Sequence, residues 1–225
     1  MSTGIGTTRR SLLVAAGAGP LAGAAVAWTT RTAEAGHPSR LTPRERLQLR
    51  HLPDVPVVTH LGSTARFYRD LVKDRKVIIN FGYAECDGIC APVTANLVQV
   101  QHLLGDRVGR DIFMLSVSLR PTQDTPAVMR AYAAMHRVGP GWLFLTGKPA
   151  DIESLRQGLG FVYSDPVEDA VRTNHIGIIR FGDEPAMRWA ACPALANPRH
   201  IVRTIGWDFG ADPDGRHQRV RGAPG

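Results

Sequence analysis

The chain has 225 residues, 27 Lys and Arg against 20 Asp and Glu, a formal net charge of +7, 44% hydrophobic residues and three cysteines. That length suits one globular domain with extra segments, at roughly 100–200 residues per domain, and gives a core that needs no disulfide staples. Collagen-like, disordered and cysteine-rich mini-protein classes are excluded. The charge surplus sits at the two ends. Residues 1–50 hold seven Arg and two Glu, residues 199–225 hold five Arg and three Asp, and the stretch between them is neutral. A nucleic-acid-binding domain carries its basic face on the folded part, so no nucleic-acid partner is expected.

Arg9 and Arg10 precede an uncharged, Ala- and Gly-rich stretch from Ser11 to Trp28. Paired arginines before a weakly apolar run resemble a twin-arginine export signal, and Ala33-Glu34-Ala35 supplies a small-x-small cleavage site before Gly36. The alternative for residues 1–35 is an uncleaved membrane anchor, because such a stretch nearly spans a bilayer. Either reading places the functional part outside the cytoplasm, in the periplasm, with a possible tether to the inner membrane. Residues 36–50 read as a basic linker or short helix that carries no site. Residues 51–207 form the folded domain, and 208–225 a disordered polar tail.

Within the domain, Val77–Phe81 is a short β-branched run bounded by charges and reads as a buried strand. Gly82–Ile89 is a loop. Leu97, Val100 and Leu104 then recur at helical spacing, with Pro92 in the first turn. Ile112–Val117 is a second strand, followed by a helix with Thr125 as N-cap, Pro126 at its first position and Val128–Met135 as its body. Met114, Met129 and Met135 read as core residues. Trp142–Leu145 is a third strand, and Asp151–Leu159 a third helix closing at Gly160. Ile176–Phe181 is a fourth strand, Met187–Ala191 its hairpin partner, and Pro198–Ile205 a last helix. The alternation implies an α/β fold, with a central, mainly parallel sheet covered by helices on both faces and an antiparallel C-terminal hairpin.

Cys86 and Cys90 stand four residues apart where the first strand gives way to its helix. A helical turn there would put both sulfurs on one side, and a helix N-terminus lowers thiol pKa values. Two such thiolates close a disulfide or hold a soft metal. A structural disulfide is a real alternative in an exported protein, although so short a loop constrains the unfolded chain little. Open α/β sheets also place their ligands at such junctions.

The runs VIINFGYAECDGICAPVTANL, DTPAVMRAYA, WLFLTG and NHIGIIRFG resemble the Sco/SenC proteins in order and spacing, over roughly His51 to Trp207. The resemblance implies a thioredoxin-like fold that binds one copper ion, Cu(I) or Cu(II), and supports assembly of the CuA centre of cytochrome c oxidase. It implies Cys86, Cys90 and His175 as copper ligands. The partners it implies are the oxidase subunit carrying the CuA site and an upstream copper donor. Two thiolates and one imidazole suit Cu(I), whereas structural zinc takes a fourth protein ligand; Glu85 and Asp87 flank the first cysteine. The chain departs from the family pattern where Asp87 and Ala91 follow the cysteines in place of Pro. It departs again at Ser118-Leu119-Arg120-Pro121, where an acidic residue is common, and at Asn174, where Asp often precedes the histidine.

The rival reading is a thiol–disulfide oxidoreductase in which Cys86 and Cys90 reduce the partner's cysteines, a reaction that needs no imidazole. Cys192 reads as a buried free thiol. His51, His60, His102, His136, His200 and His217 read as ordinary surface or core residues, and His37 lies in the linker.

Overall fold

The computed structural model describes residues 41–86, 88–171 and 177–208. The expected export signal, the start of the linker, Asp87, Asn174, His175 and the tail beyond Asp208 lie outside these residues. Along the described chain the elements are α1 (Pro43–His51), β1 (Pro56–Thr59), β2 (Thr64–Arg66), a π-helical turn (Phe67–Val72), β3 (Lys76–Gly82), α2 (Cys90–Leu104) and β4 (Ile112–Ser118). There follow α3 (Pro126–Met135), β5 (Trp142–Thr146), α4 (Pro149–Gly158), α5 (Pro166–Ala170), β6 (Ile178–Asp183), β7 (Arg188–Pro193) and α6 (Pro198–Asp208). None of the described helices is long and apolar enough to cross a membrane.

The strands make one sheet in the order β2-β1-β5-β4-β3-β6-β7. Its centre is parallel: β3 pairs with β4 from Lys76↔Ile112 to Gly82↔Ser118, and β4 pairs with β5. β1 and β2 extend it antiparallel on one side, and the β6–β7 hairpin extends it antiparallel on the other. This is a thioredoxin-like arrangement with the expected C-terminal hairpin.

Side chains alternate across the pleat, so the central strands feed two cores. Ile78, Met114, Phe144, Ile179 and Phe181 meet α2, α3 and α6 through Leu97, Met129 and Ile201. Val77, Ile79, Phe81, Val117 and Leu145 meet Leu52, the π-helical turn and α4 through Phe67, Ile152 and Leu155. Cys192 is buried on the first side as a free thiol, as expected, and desolvation pushes its pKa up to about 11. Met135 is not a core residue: it is 69% exposed, because the α3 stripe of Met129, Tyr132 and Ala133 faces the sheet and Met135 lies off that stripe.

α1 buries none of its residues fully, and a capping box of Thr42 and Glu45 starts it. An ionic cluster fastens it. The Arg44 guanidinium donates to both carboxylate oxygens of Glu184, at 2.7 Å through Nε, and to Asp74 Oδ1 at 2.5 Å. Glu184 is only 2% exposed and also accepts from the Tyr68 hydroxyl at 2.9 Å and the Asp74 amide at 2.7 Å. Burial pulls the Glu184 pKa up, but the Arg44, Asp74 and Tyr68 donors prevail and hold it below the ordinary value.

Two glycines permit the approach of the segment before β4 to the start of β5. Gly109 and Gly141 both have positive φ, at +90° and +81°, and a Cβ on Gly141 would stand 2.3 Å from the Gly109 nitrogen. Any side chain there collides with backbone.

Candidate functional site

The C-terminal ends of the parallel strands β3 and β4 open into two neighbouring loops, the position at which open α/β sheets build ligand sites. Cys86 lies in the loop after β3, and Cys90 is the first residue of α2. Cys86 sits in irregular chain before the helix, in keeping with the loop reading of this segment and without the helical turn that would have aligned the sulfurs. The sulfurs come together nonetheless. The Cys86 sulfur accepts from the Cys90 thiol, from the Cys90 and Gly88 amides and from the Tyr83 hydroxyl. α2 has no side-chain cap at Ile89, so the Cys86 sulfur takes over part of that role toward the helix's first amide, that of Cys90.

This arrangement separates the two thiols. Burial acts to raise Cys86, but the hydrogen bonds from Cys90, Tyr83 and Gly88 outweigh it and hold its pKa below the ordinary thiol value. Cys90 is pushed up to about 12, first by burial, then by its hydrogen bond to Cys86 and by the nearby charges of Cys86 and Asp124, although the Tyr83 amide works the other way. Tyr83 is itself pushed up to about 12 by burial and by its bond to Cys86. Glycines leave room beside both sulfurs: a Cβ at Gly82 would sit 3.6 Å from Cys90 Sγ, and one at Gly88 would sit 3.7 Å from Cys86 Sγ.

The loop after β4 supplies residues that the sequence alone did not single out. Asp124 is buried and accepts from Ser118 Oγ at 2.5 Å and from the Ala84 amide at 3.2 Å, tying the two loops together. Burial raises its pKa, and the Ser118 and Ala84 hydrogen bonds only partly oppose that. The Arg120 guanidinium stacks 4.1 Å above the Tyr83 ring, and its amide donates to Ser118 Oγ at 3.0 Å. The segment Ser118–Pro121 therefore lacks an acid of its own but orients Asp124 just beyond it. Below Cys90 a small cavity of about 20 Å³ is lined by Asn80, Thr94, Ser116 and Tyr132 among others.

His175 lies outside the described residues, as does Asp87. Glu85 is exposed. Among the described residues no three His, Cys, Asp or Glu side chains gather into a metal site. The chain after residue 176 nevertheless runs beside the cysteine loop. β6 pairs antiparallel with β3, Ile79 opposite Arg180, so its first residues lie at the end of β3 from which the loop departs. A Cβ on Gly177 would stand 4.0 Å from Ile89 Cδ1, next to Cys90.

A search of curated protein sequences returns no match. Among solved structures, the copper-bound ScoI of Bradyrhizobium japonicum aligns at 20% identity over 69% of this chain and 99% of its own, with a TM-score of 0.55. A SCO1/SenC family lipoprotein from Bacillus anthracis aligns at 20% identity over 69% of this chain and 92% of its own, with a TM-score of 0.58. BsSco, a member of the Sco family of cytochrome c oxidase assembly proteins in which a disulfide switch is identified, aligns at 21% identity over 69% and 91%, with a TM-score of 0.54. At these identities the structures establish the shared fold. The SCO1/SenC family model matches residues 62–205, which include both cysteines, the Asp124 loop and the β6–β7 hairpin. The chain belongs to the SCO1/SenC family.

Proposed function

We propose that this protein is an extracytoplasmic copper chaperone, and that it holds one copper ion on the thiolates of Cys86 and Cys90 and the imidazole of His175. Its cargo is passed by ligand exchange to the oxidase subunit that carries the CuA site, after loading from an upstream donor. The observation that carries the reading is the paired sulfurs. Two free cysteines share a hydrogen bond, one is held toward thiolate by the other's thiol, by two backbone amides and by the Tyr83 hydroxyl, and glycines stand beside each. Such a soft, low-coordination donor pair suits Cu(I). The approach of Gly177 to Ile89 supports the third ligand, because His175 lies two residues earlier in the chain. The copper-bound relative and the relative described as an oxidase assembly protein support the cargo and the partner. The lipoprotein relative supports an extracytoplasmic, membrane-tethered location, in line with the export or anchor reading of residues 1–35.

A second reading is thiol–disulfide exchange with the partner's cysteines. It is favoured by the same asymmetry, a thiol lowered at Cys86 beside one raised at Cys90, and by the disulfide switch of BsSco. Titration of the reduced protein with Cu(I) against a competing chelator separates the two. Copper chaperoning requires near-stoichiometric binding that is weakened by Cys86→Ala, Cys90→Ala and His175→Ala alike. Tight binding indifferent to His175→Ala refutes the ligand set. Negligible binding with rapid turnover of a disulfide substrate selects the reductase.

A further inference from the structure

The Cys86 sulfur is crowded with donors. The Cys90 thiol, the Cys90 and Gly88 amides and the Tyr83 hydroxyl all give it hydrogen bonds. A thiolate sulfur offers three lone pairs, so these donors leave none free. Thiolate is also the form that attacks an electrophile or binds a metal, and either event takes one lone pair. A group already bonded to Cys86 then has to let go.

The donors differ in how readily they can do so. The two amides belong to the backbone, and that of Cys90 opens α2. The Cys90 thiol leaves the count by itself when its own sulfur gives up its proton to take up the metal. One lone pair for the metal and one for each amide then fill the Cys86 sulfur, and the Tyr83 hydroxyl is the donor left over. Tyr83 is 6% exposed, so little water reaches it as a replacement acceptor. Its ring is also held. The Arg120 guanidinium lies 4.1 Å above the ring centroid. Arg120 is in turn fixed by its own backbone: its amide donates to Ser118 Oγ at 3.0 Å, and its carbonyl accepts from the Gln123 and Asp124 amides at 2.9 and 2.8 Å. The loop after β4 thus reaches across to the loop after β3 and keeps the tyrosine at the sulfur.

We propose that Tyr83, positioned by Arg120, guards Cys86: its hydroxyl occupies a lone pair that copper or an incoming electrophile has to use, and uptake is opposed until that hydrogen bond is given up. For copper this rests on the ligand set proposed above; for an electrophile it rests on the hydrogen bonds at Cys86 alone. A guard and a merely supporting tyrosine predict opposite signs. Removing a support weakens binding and reactivity, whereas removing a competitor strengthens both.

The test uses the full chain in reduced form, unaltered and with Tyr83→Phe, Arg120→Gln or both. Alkylation of Cys86 by iodoacetamide is followed by peptide mass spectrometry, and the limiting rate is read where it no longer rises with pH. Tyr83→Phe is expected to raise that rate by about threefold or more, because a thiolate relieved of a hydrogen bond is the stronger nucleophile. Arg120→Gln is expected to raise it less, and to add nothing once the hydroxyl is gone, because it acts through the ring. Competition with a chelator is expected to show Cu(I) bound several-fold more tightly by Tyr83→Phe. An unchanged or lower limiting rate in Tyr83→Phe overturns the proposal, and so does weaker copper binding. An Arg120→Gln effect undiminished in the double variant removes Arg120 from it. An unaltered chain that binds no copper refutes the proposed function instead, while the alkylation rates still decide the guard. Arg120→Gln changes a half-buried side chain and supplies the reading if Tyr83→Phe fails to fold.

Discussion

Cys86 and Cys90 are chemically alike, and their difference comes from burial and from the donors that surround each sulfur. Four donors converge on the Cys86 sulfur, whereas Cys90 at the head of α2 is more deeply buried and faces the charges of Cys86 and Asp124. Metal coordination requires both sulfurs deprotonated. At neutral pH the raised Cys90 thiol, near 12, is still protonated, and copper binding at the proposed site has to displace its proton. Apparent Cu(I) affinity is therefore expected to rise by about tenfold per pH unit for each proton displaced. Competition titrations across pH check this, and a flat profile contradicts it. Asp124→Asn removes a negative charge that raises Cys90 and keeps an acceptor for the Ala84 amide. The Cys90 titration is expected to move down, read as thiolate ultraviolet absorbance against pH; an upward or unmoved curve counts against the assignment. At this scale the meeting of the two sulfurs was legible, because a four-residue spacing at a strand-to-helix junction brings two side chains together. Asp124, Tyr83 and Arg120 were not, since nothing local distinguishes a buried, loop-tying aspartate from a solvated one.

Helix α1 shows an element whose anchoring is electrostatic. It offers the core little beyond Leu47, and Glu184, 140 residues away from Arg44 in sequence, secures it. Glu184→Gln is expected to cost about 1–3 kcal/mol and to raise hydrogen exchange across Pro43–His51 more than across β3; uniform exchange would refute a local clamp. The sign with pH follows from the lowered Glu184 pKa. The clamp contributes fully above the unfolded carboxyl value of about 4.3 and is lost as pH falls through the lower folded value. Acid titration of the wild type should thus show a loss of stability that Glu184→Gln lacks. Among the elements, α3 was readable to the residue from Thr125 and Pro126, because caps are local signals. β1 and β2 escaped: four and three residues long, with Pro56 leading the first, they carry too few positions for alternation to register. Their pairing with β5 and with each other, not their sequence, makes them strands.

For the whole molecule, the alternation of strands and helices correctly implied a covered sheet with a parallel centre. The antiparallel additions on the β1–β2 side depend on strand order, which periodicity does not encode. The meeting of Gly109 and Gly141 is likewise a long-range fact, visible only once β4 and β5 are neighbours. Gly141→Ala forces a Cβ into the Gly109 backbone at a positive φ and is expected to destabilise the fold by about 3 kcal/mol or more. Denaturant unfolding measures this, and a loss below about 1 kcal/mol would mean that the two chains separate easily.

The sheet order carries a last consequence, for how a partner can approach. One border strand, β2, is three residues long, and the other, β7, begins with Arg188 and finishes at Pro193, which has no amide hydrogen to offer. Neither border is a good template for a visiting β-strand. Encounters with another protein are thereby steered away from strand addition and toward the loops at the strand ends, where Cys86 and Cys90 lie.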